Sequence, residues 1–114
     1  MKAEALKGHL DALLLATVDG GAEYGYAIRE VLRTESGGEF DLPTGTIYPA
    51  LYRLERAGLI VGQWTKVGVR RRRRCYRLTP AGRRALVARR ASWNKFSTAV
   101  SSVLLPERTW SATT

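Results

Sequence analysis

The sequence predicts a mainly α-helical fold with one small β-hairpin. Before Gly58, apolar residues recur at helical spacing in three separate segments. From Leu59 to Leu78 the chain turns β-branched and alternating, with Gly68 in the middle. A Thr79-Pro80 pair then opens a last, long helical segment. At 114 residues and 45% hydrophobic, the chain is long enough for one domain with a small core and an appended helix.

The first two helices are predicted from apolar stripes bounded by glycines. Residues 4–18 place leucines and Val18 on one face and stop at Asp19-Gly20-Gly21. His9 lies beside this stripe, and because the chain has no second histidine we assign it a structural or surface role. Residues 24–32 form the second helix, where Gly25 between two tyrosines indicates close approach to another helix.

The third helix, within residues 43–60, is the segment that the rest of the chain supports. Ile47, Leu51 and Leu54 form its inner stripe. The opposite face has small, aromatic and cationic groups, as a helix that enters a DNA major groove requires, although ordinary amphipathic surface helices share this pattern. That face comprises Gly45, Pro49, Tyr52, Arg53 and Arg56.

The start of this helix depends on Pro49, which cannot donate a backbone hydrogen bond. With Thr44 as N-cap the helix should bend at Pro49, whereas with Thr46 as N-cap the proline falls in the first turn. We expect a regular helix from about Thr46, preceded by a tighter turn. Gly58 then supplies the left-handed residue that ends it.

The hairpin is predicted from strands at residues 59–65 and 70–78, joined by a turn at residues 66–68. Tyr76 and Leu78 share a face and should anchor the hairpin, while Arg77 points away. The second strand opens with five consecutive arginines. Because they alternate between faces, about half can reach one DNA backbone; protection of a strand edge from aggregation is the alternative for some of them.

The last helix is predicted to run from Pro80 to about Leu104, with Thr79 as its N-cap. Its apolar residues form a coiled-coil-like seam that a small domain cannot bury alone. We therefore expect a homodimer built on this helix. The seam consists of Leu86, Trp93, Phe96, Val100 and Val103.

The charge is strongly divided along the chain. The net charge is +9, and Arg56 to Pro106 contains no acid but thirteen of the nineteen basic residues. Such a surface indicates an anionic partner. One cysteine and one histidine leave no metal site, no cofactor and no catalytic set to propose, so an enzyme is not expected. With no signal peptide and no apolar run of about 20 residues, the expected location is the cytoplasm.

Three helices, a hairpin and a long helix make a winged helix-turn-helix. Four segments, taken in order, resemble the PadR family of transcriptional regulators in its short form, with a single C-terminal dimerisation helix: LKGHLDALLLATV, EYGYAIREVL, GTIYPALYRLERAGLI and YRLTPAGRRAL. One departure is Pro43-Thr44-Gly45, where the family more often has Ser-Pro-Gly. The expected domains are residues 4–78 for the winged helix-turn-helix, 79–105 for the dimerisation helix and 106–114 for a flexible tail.

The resemblance implies a homodimeric DNA-binding repressor that leaves a pseudo-palindromic operator when a small molecule binds. Combined with the helical pattern and the basic hairpin, it gives the expected DNA-binding residues as Thr44, Gly45, Thr46, Tyr48, Tyr52, Arg53, Arg56, Lys66, Arg70, Arg71, Arg72, Arg73 and Arg74. Some relatives bind planar aromatic compounds on a tryptophan that Trp93 matches; filling of the dimer seam is the equal alternative for Trp93. A sequence-nonspecific architectural DNA-binding protein is the alternative for the whole chain.

Overall fold

The computed structural model describes Leu6 and residues 8–107. Its elements are α1 (Leu10–Asp19), α2 (Gly25–Glu35), α3 (Thr44–Arg56), β1 (Ile60–Lys66), β2 (Arg72–Leu78) and α4 (Pro80–Leu104). The predicted mainly helical fold with a hairpin is confirmed. The expected tail beyond residue 107, including Trp110, lies outside the described residues, as do residues 4, 5 and 7 of the expected first helix.

The first helix starts later than predicted. Gly8 has a φ of 87°, in the left-handed region that a right-handed helix cannot include. The amide of His9 donates to the carbonyl of Leu6 at 2.8 Å, which makes a separate turn before Leu10. The helix predicted from residue 4 is therefore wrong at residues 8 and 9.

The three N-terminal helices enclose one hydrophobic core. Leu14 of α1, Ile28 of α2 and the inner stripe of α3 (Ile47, Leu51 and Leu54) are all at most 1% exposed. The predicted inner face of α3 is thus confirmed. Burial of such side chains stabilises the fold by roughly 1.5–3 kcal/mol each, and it fixes which side of α3 remains in solvent.

The N-terminus of α3 differs from prediction in its capping. Pro43 is the N-cap, and no side chain accepts a hydrogen bond there, so neither Thr44 nor Thr46 caps the helix. The carbonyl of Pro43 accepts from the amides of Thr46 at 2.9 Å and Ile47 at 3.2 Å. The predicted start near Thr46 is therefore two residues late, because α3 is helical from Thr44 and backbone groups alone close its first turn. Pro49 consequently lies inside the helix, opposite the carbonyl of the solvent-exposed Gly45.

The C-terminus of α3 leads directly into the hairpin. Gly58 has a φ of 76°, as predicted, and the amides of Gly58 and Leu59 donate to the carbonyls of Glu55 and Leu54, both at 3.0 Å. This is a Schellman motif.

The two strands are antiparallel, and Ile60 pairs with Leu78 and Lys66 with Arg72. Tyr76 and Leu78 are buried and Arg77 is exposed, as predicted. The second strand starts at Arg72 rather than residue 70, because Val67 closes the loop with a 2.7 Å hydrogen bond to the carbonyl of Arg71.

The long helix α4 is joined tightly to the start of the hairpin. The hydroxyl of Thr79 accepts from the amide of Gly82 at 3.0 Å and donates to the carbonyl of Gly58 at 2.6 Å. Thr79 is therefore the predicted N-cap. A Cβ on Gly82 would lie 1.9 Å from the backbone oxygen of Leu59, so only glycine fits. Leu86 is buried against the core, whereas residues 87–96 and 101–104 are exposed.

Candidate nucleic-acid interface

The solvent face of α3 carries the side chains expected to meet DNA. Thr44, Gly45, Tyr48, Tyr52 and Arg56 are exposed, and Thr46 is half-buried. The hydroxyl of Tyr52 accepts from Nη1 of Arg56 at 3.4 Å, and the guanidinium carbon lies 5.9 Å from the centre of the Tyr52 ring. One turn of α3 thus presents an aromatic ring and a cation side by side.

Tyr48 occupies the flank of this face, against the start of α2. A Cβ on Gly25 would come within 2.5 Å of the Tyr48 ring and hydroxyl. The close helix approach predicted for Gly25 is therefore confirmed, and its partner is Tyr48. The glycine fixes the ring at the junction of the two helices, with 46% of the side chain still exposed.

Arg53 lies on the opposite flank and pairs with α1. Its Nη2 is 2.6 Å from Oδ1 of Asp11, and both side chains are at least half exposed. Sequence reasoning did not find this pair, because Asp11 precedes Arg53 by 42 positions and only the packing of α1 on α3 brings them together. The carboxylate gives the guanidinium a defined direction at the edge of the α3 face.

The five arginines of the hairpin have different surroundings. Arg70 and Arg71 are exposed in the connecting loop, as is Lys66 at the end of β1. Arg73 lies over the ring of Tyr24, 3.7 Å from its centre. Arg74 hydrogen-bonds Glu55 near the end of α3. The structure therefore holds Arg73 and Arg74 against the domain and leaves the other cations toward the tip of the hairpin.

Trp64 is a part of this surface that sequence reasoning missed. It is 58% exposed and pairs with Arg74 across the strands. The guanidinium carbons of Arg72 and Arg74 lie 5.9 and 5.5 Å from its ring centre. The alternation of β1 could have identified it, because Trp64 lies on the same face as the buried Ile60 but four residues nearer the tip of the hairpin.

Protonation at the α3–hairpin junction follows from hydrogen bonding and burial. The hydrogen bond to Glu55 raises the pKa of Arg74 above its ordinary value, although desolvation acts against it. Burial raises the pKa of the neighbouring Tyr76 hydroxyl. At neutral pH this junction therefore holds a guanidinium cation beside a neutral phenol.

The predicted seam on α4 divides into a buried and an exposed part. Leu86 is 3% exposed and packs in the core of its own subunit, which leaves almost none of it for a partner. Trp93, Phe96 and Val103 are 53, 60 and 62% exposed, and Val100 is half-buried. The His9 and Trp93 rings meet edge to face at 5.7 Å, beside a groove of about 440 Å³ between α1 and α4.

Comparison with known proteins identifies the family to which this chain belongs. The model of the transcriptional regulator PadR-like family matches residues 14–88. The chain belongs to this family. A PadR-like transcriptional regulator from Bacillus cereus superimposes with a TM-score of 0.79 at 28% identity, over 92% of this chain and 100% of that one. The PadR-family fold is therefore a winged helix-turn-helix here, as predicted.

Two further relatives of this PadR-family chain bear on function. Bacillus subtilis PadR, solved in complex with operator DNA, has a TM-score of 0.64 and 28% identity, over 69% of this chain and 44% of that one. A transcriptional regulator of Mycobacterium tuberculosis is 57% identical over 42 residues, 37% of this chain and 38% of that protein. The family is one of transcriptional regulators and not of enzymes.

Two features are absent from the part of the chain that the structure describes. Residues 8–107 and Leu6 contain no cluster of three or more His, Cys, Asp or Glu side chains able to hold a metal ion. No helix in that part of the chain has the length and apolarity needed to cross a lipid bilayer.

Proposed function

We propose that this PadR-family chain is a sequence-specific DNA-binding repressor that acts as a homodimer on a pseudo-palindromic operator. The observation that carries the proposal is the exposed face of α3. Its inner residues are locked in the core, and its outer turn presents Tyr52 and Arg56 to solvent beside a basic hairpin. A helix fixed in this way can enter a major groove without losing its packing.

The side chains of this surface divide into those that position the protein and those that specify sequence. Thr44, Gly45, Thr46 and Tyr48 lie at the N-terminal end of α3, where backbone amides and hydroxyls favour phosphate. Tyr52, Arg53 and Arg56 are proposed to contact base edges, since arginine on guanine is the commonest specific contact. The hairpin of β1 and β2 is the wing of this fold, and its cations are proposed to contact phosphates; those toward the tip are Lys66, Arg70, Arg71 and Arg72.

The exposed half of α4 supports the homodimer. Trp93, Phe96 and Val103 would otherwise leave a continuous apolar stripe in water, which a second copy of α4 would cover. In the proposed dimer, the two copies of α3 enter successive major grooves about 34 Å apart, the spacing that two-fold helix-turn-helix dimers use. The operator then repeats its half-site with the same two-fold symmetry.

Release of the operator by a planar aromatic ligand is proposed for the groove beside Trp93. This groove is lined by apolar side chains, including Leu6, Leu13 and Phe40, and by Arg89 and Arg90. Quenching of tryptophan fluorescence by planar dyes tests whether such a ligand binds beside Trp93. If Trp93 serves only to fill the dimer seam, dyes will leave the emission unchanged.

The alternative function is that of a sequence-nonspecific architectural DNA-binding protein, which the basic wing favours. For either function the proposed location is the cytoplasm, where the half-buried Cys75 would remain a thiol.

The deciding experiment selects random duplex DNA with the purified protein at about 150 mM salt, where weak electrostatic binding is suppressed. We expect enrichment of an inverted repeat whose half-sites lie about one helical turn apart. A selected pool that matches the input would refute the sequence-specific repressor and leave the architectural protein.

A further inference from the structure

Trp64 is a large apolar side chain in an unusual position. It projects from β1 beyond the buried pair Ile60–Leu78 and is 58% exposed. Its face of the hairpin also carries Lys66, Arg72 and Arg74, because cross-strand partners share a face. An exposed indole among three cations adds nothing to the hydrophobic core, so a contact with an anionic partner that also has apolar parts accounts for it better.

The orientation of this face is fixed by α3. Arg74 hydrogen-bonds the carboxylate of Glu55, and both side chains are less than one-third exposed. Gly62 makes room for this pair, because a Cβ at that position would lie 2.7 Å from Nε of Arg74. The guanidinium of Arg74 is thus tied to α3, and its central carbon lies 5.5 Å from the centre of the Trp64 ring.

Glu55 is itself unexpected beside a DNA-binding surface. It is the last acid before Glu107, and it lies three positions after Tyr52 on α3. A carboxylate here repels phosphates unless a cation neutralises it. Arg74 does so, whereas Arg72 has no acidic partner within the described residues and stays available at the outer side of the Trp64 ring.

From these contacts we propose that Trp64 is a DNA-contacting residue of the wing, and that Glu55, acting through Arg74, positions it. The indole ring packs against deoxyribose of the duplex that α3 reads, while Arg72 meets the adjoining phosphate. Sugar and phosphate contacts set register and orientation without reading sequence. The inference rests on the proposed DNA-binding function and adds to it a contact residue and a residue that positions the wing.

Binding measurements on a duplex of about 30 base pairs, long enough for two half-sites, test the contact. The duplex comes from the selected pool, and a scrambled one of equal composition serves as the comparison. Trp64→Ala should weaken binding to both by about tenfold, or about 1.4 kcal/mol, and leave their ratio unchanged. Trp64→Phe should retain most of the affinity but lose the emission change that DNA causes in the wild-type protein.

Glu55→Gln tests the positioning. Removing a negative charge near DNA should by itself strengthen binding, whereas loss of the Arg74 anchor should weaken it, so the sign of the effect separates the two. We expect weaker binding, and no further loss when Trp64→Ala is added, because both changes act on one contact. Glu35→Gln removes the same charge from the last turn of α2 and should change neither affinity nor emission.

The outcomes separate this inference from the function on which it rests. Wild-type protein that binds no duplex would overturn both. Wild-type binding that Trp64→Ala leaves intact, with the emission change still present in Trp64→Phe, would overturn the contact alone. Tighter binding by Glu55→Gln would overturn the positioning role of Glu55. A thermal melt of each variant tests whether folding has changed. Because Trp64 is exposed, its variants should keep the wild-type melting midpoint, and a loss of affinity then reports on binding.

Discussion

Arg53 is the side chain whose surroundings bear most directly on base reading. Both side chains of its ion pair with Asp11 are at least half exposed, so the pair contributes at most about 1 kcal/mol to stability. Arg53→Ala should therefore leave the free energy of unfolding nearly unchanged, yet cost about 1–3 kcal/mol of operator binding and relax specificity. Competition binding with single-base variants of the selected duplex measures both.

Arg72→Ala is the matched comparison for Arg53→Ala, since it removes an arginine from the wing. Binding should weaken alike for every sequence, with a smaller dependence on salt. If both arginine variants alter only the salt dependence, Arg53 does not read bases.

The hydroxyl of Thr79 should be the most important single capping group of the fold. It accepts from the amide of Gly82 and donates to the carbonyl of Gly58. Thr79→Ala should lower the free energy of unfolding by about 1–2 kcal/mol, measured by urea denaturation. Thr79→Ser keeps the hydroxyl and should retain most of that stability. Equal losses in the two variants would mean that the methyl group, and not the hydroxyl, stabilises the junction.

Single residues differed in how far the sequence predicted them. Thr79 was predicted as a cap because a proline follows it, and that pattern is local. The start of α3 was predicted near Thr46 from two candidate caps, Thr44 and Thr46, but the carbonyl of Pro43 accepts from the amides of Thr46 and Ile47 and neither hydroxyl caps the helix. The Asp11–Arg53 and Glu55–Arg74 pairs depend on how separate elements pack, which residue spacing does not encode.

Among the elements, α4 is the helix whose apolar stripe a single subunit leaves uncovered. Phe96→Glu places a charge in its exposed apolar stripe and should convert the proposed dimer to monomer, as measured by sedimentation. DNA binding should fall with it, because two half-sites are then no longer held together. Loss of dimer without unfolding is expected, since Phe96 is 60% exposed.

Val87→Glu is the control for Phe96→Glu on the same helix. Val87 is 65% exposed and lies about 180° around α4 from Phe96 at 100° per residue. It should leave the dimer intact. A dimer that survives Phe96→Glu would move the interface elsewhere on the molecule.

The extents of the elements were predicted well where the signal was chemical. Gly58 ended α3, and Thr79-Pro80 began α4, at the predicted residues. The first helix and the second strand were predicted too long at their N-termini. At Gly8 a positive φ interrupts a pattern that sequence alone continues, and at residues 70–71 the arginine run hides where the loop ends.

On the scale of the whole molecule, the division of charge should dominate the thermodynamics of binding. A dimer that neutralises about 6–10 phosphates should lose about three to five decades of affinity between 50 and 200 mM salt. The slope of log Kd against log salt measures this. Arg70→Ala and Arg71→Ala should each reduce the magnitude of this slope, by about one for every cation that is removed from the wing. A flat salt dependence would contradict the proposed role of the basic half.

Fold class and overall charge distribution followed from the sequence because both are sums over many residues. The assembly of the site did not, since Trp64, Glu55 and Asp11 gain their positions only from the packed domain. Leu86 shows the same limit: its spacing assigned it to the dimer seam, while the fold buries it in its own subunit.

The junction around Gly82 has a mechanical consequence. Thr79 is bonded to Gly58 and Leu59, and Gly82 packs directly on the Leu59 carbonyl, so the end of α3 and the start of α4 share one rigid joint. No hinge separates them. The 25 residues of α4 extend about 37 Å from that joint. A displacement of the far end of α4 should therefore tilt α3.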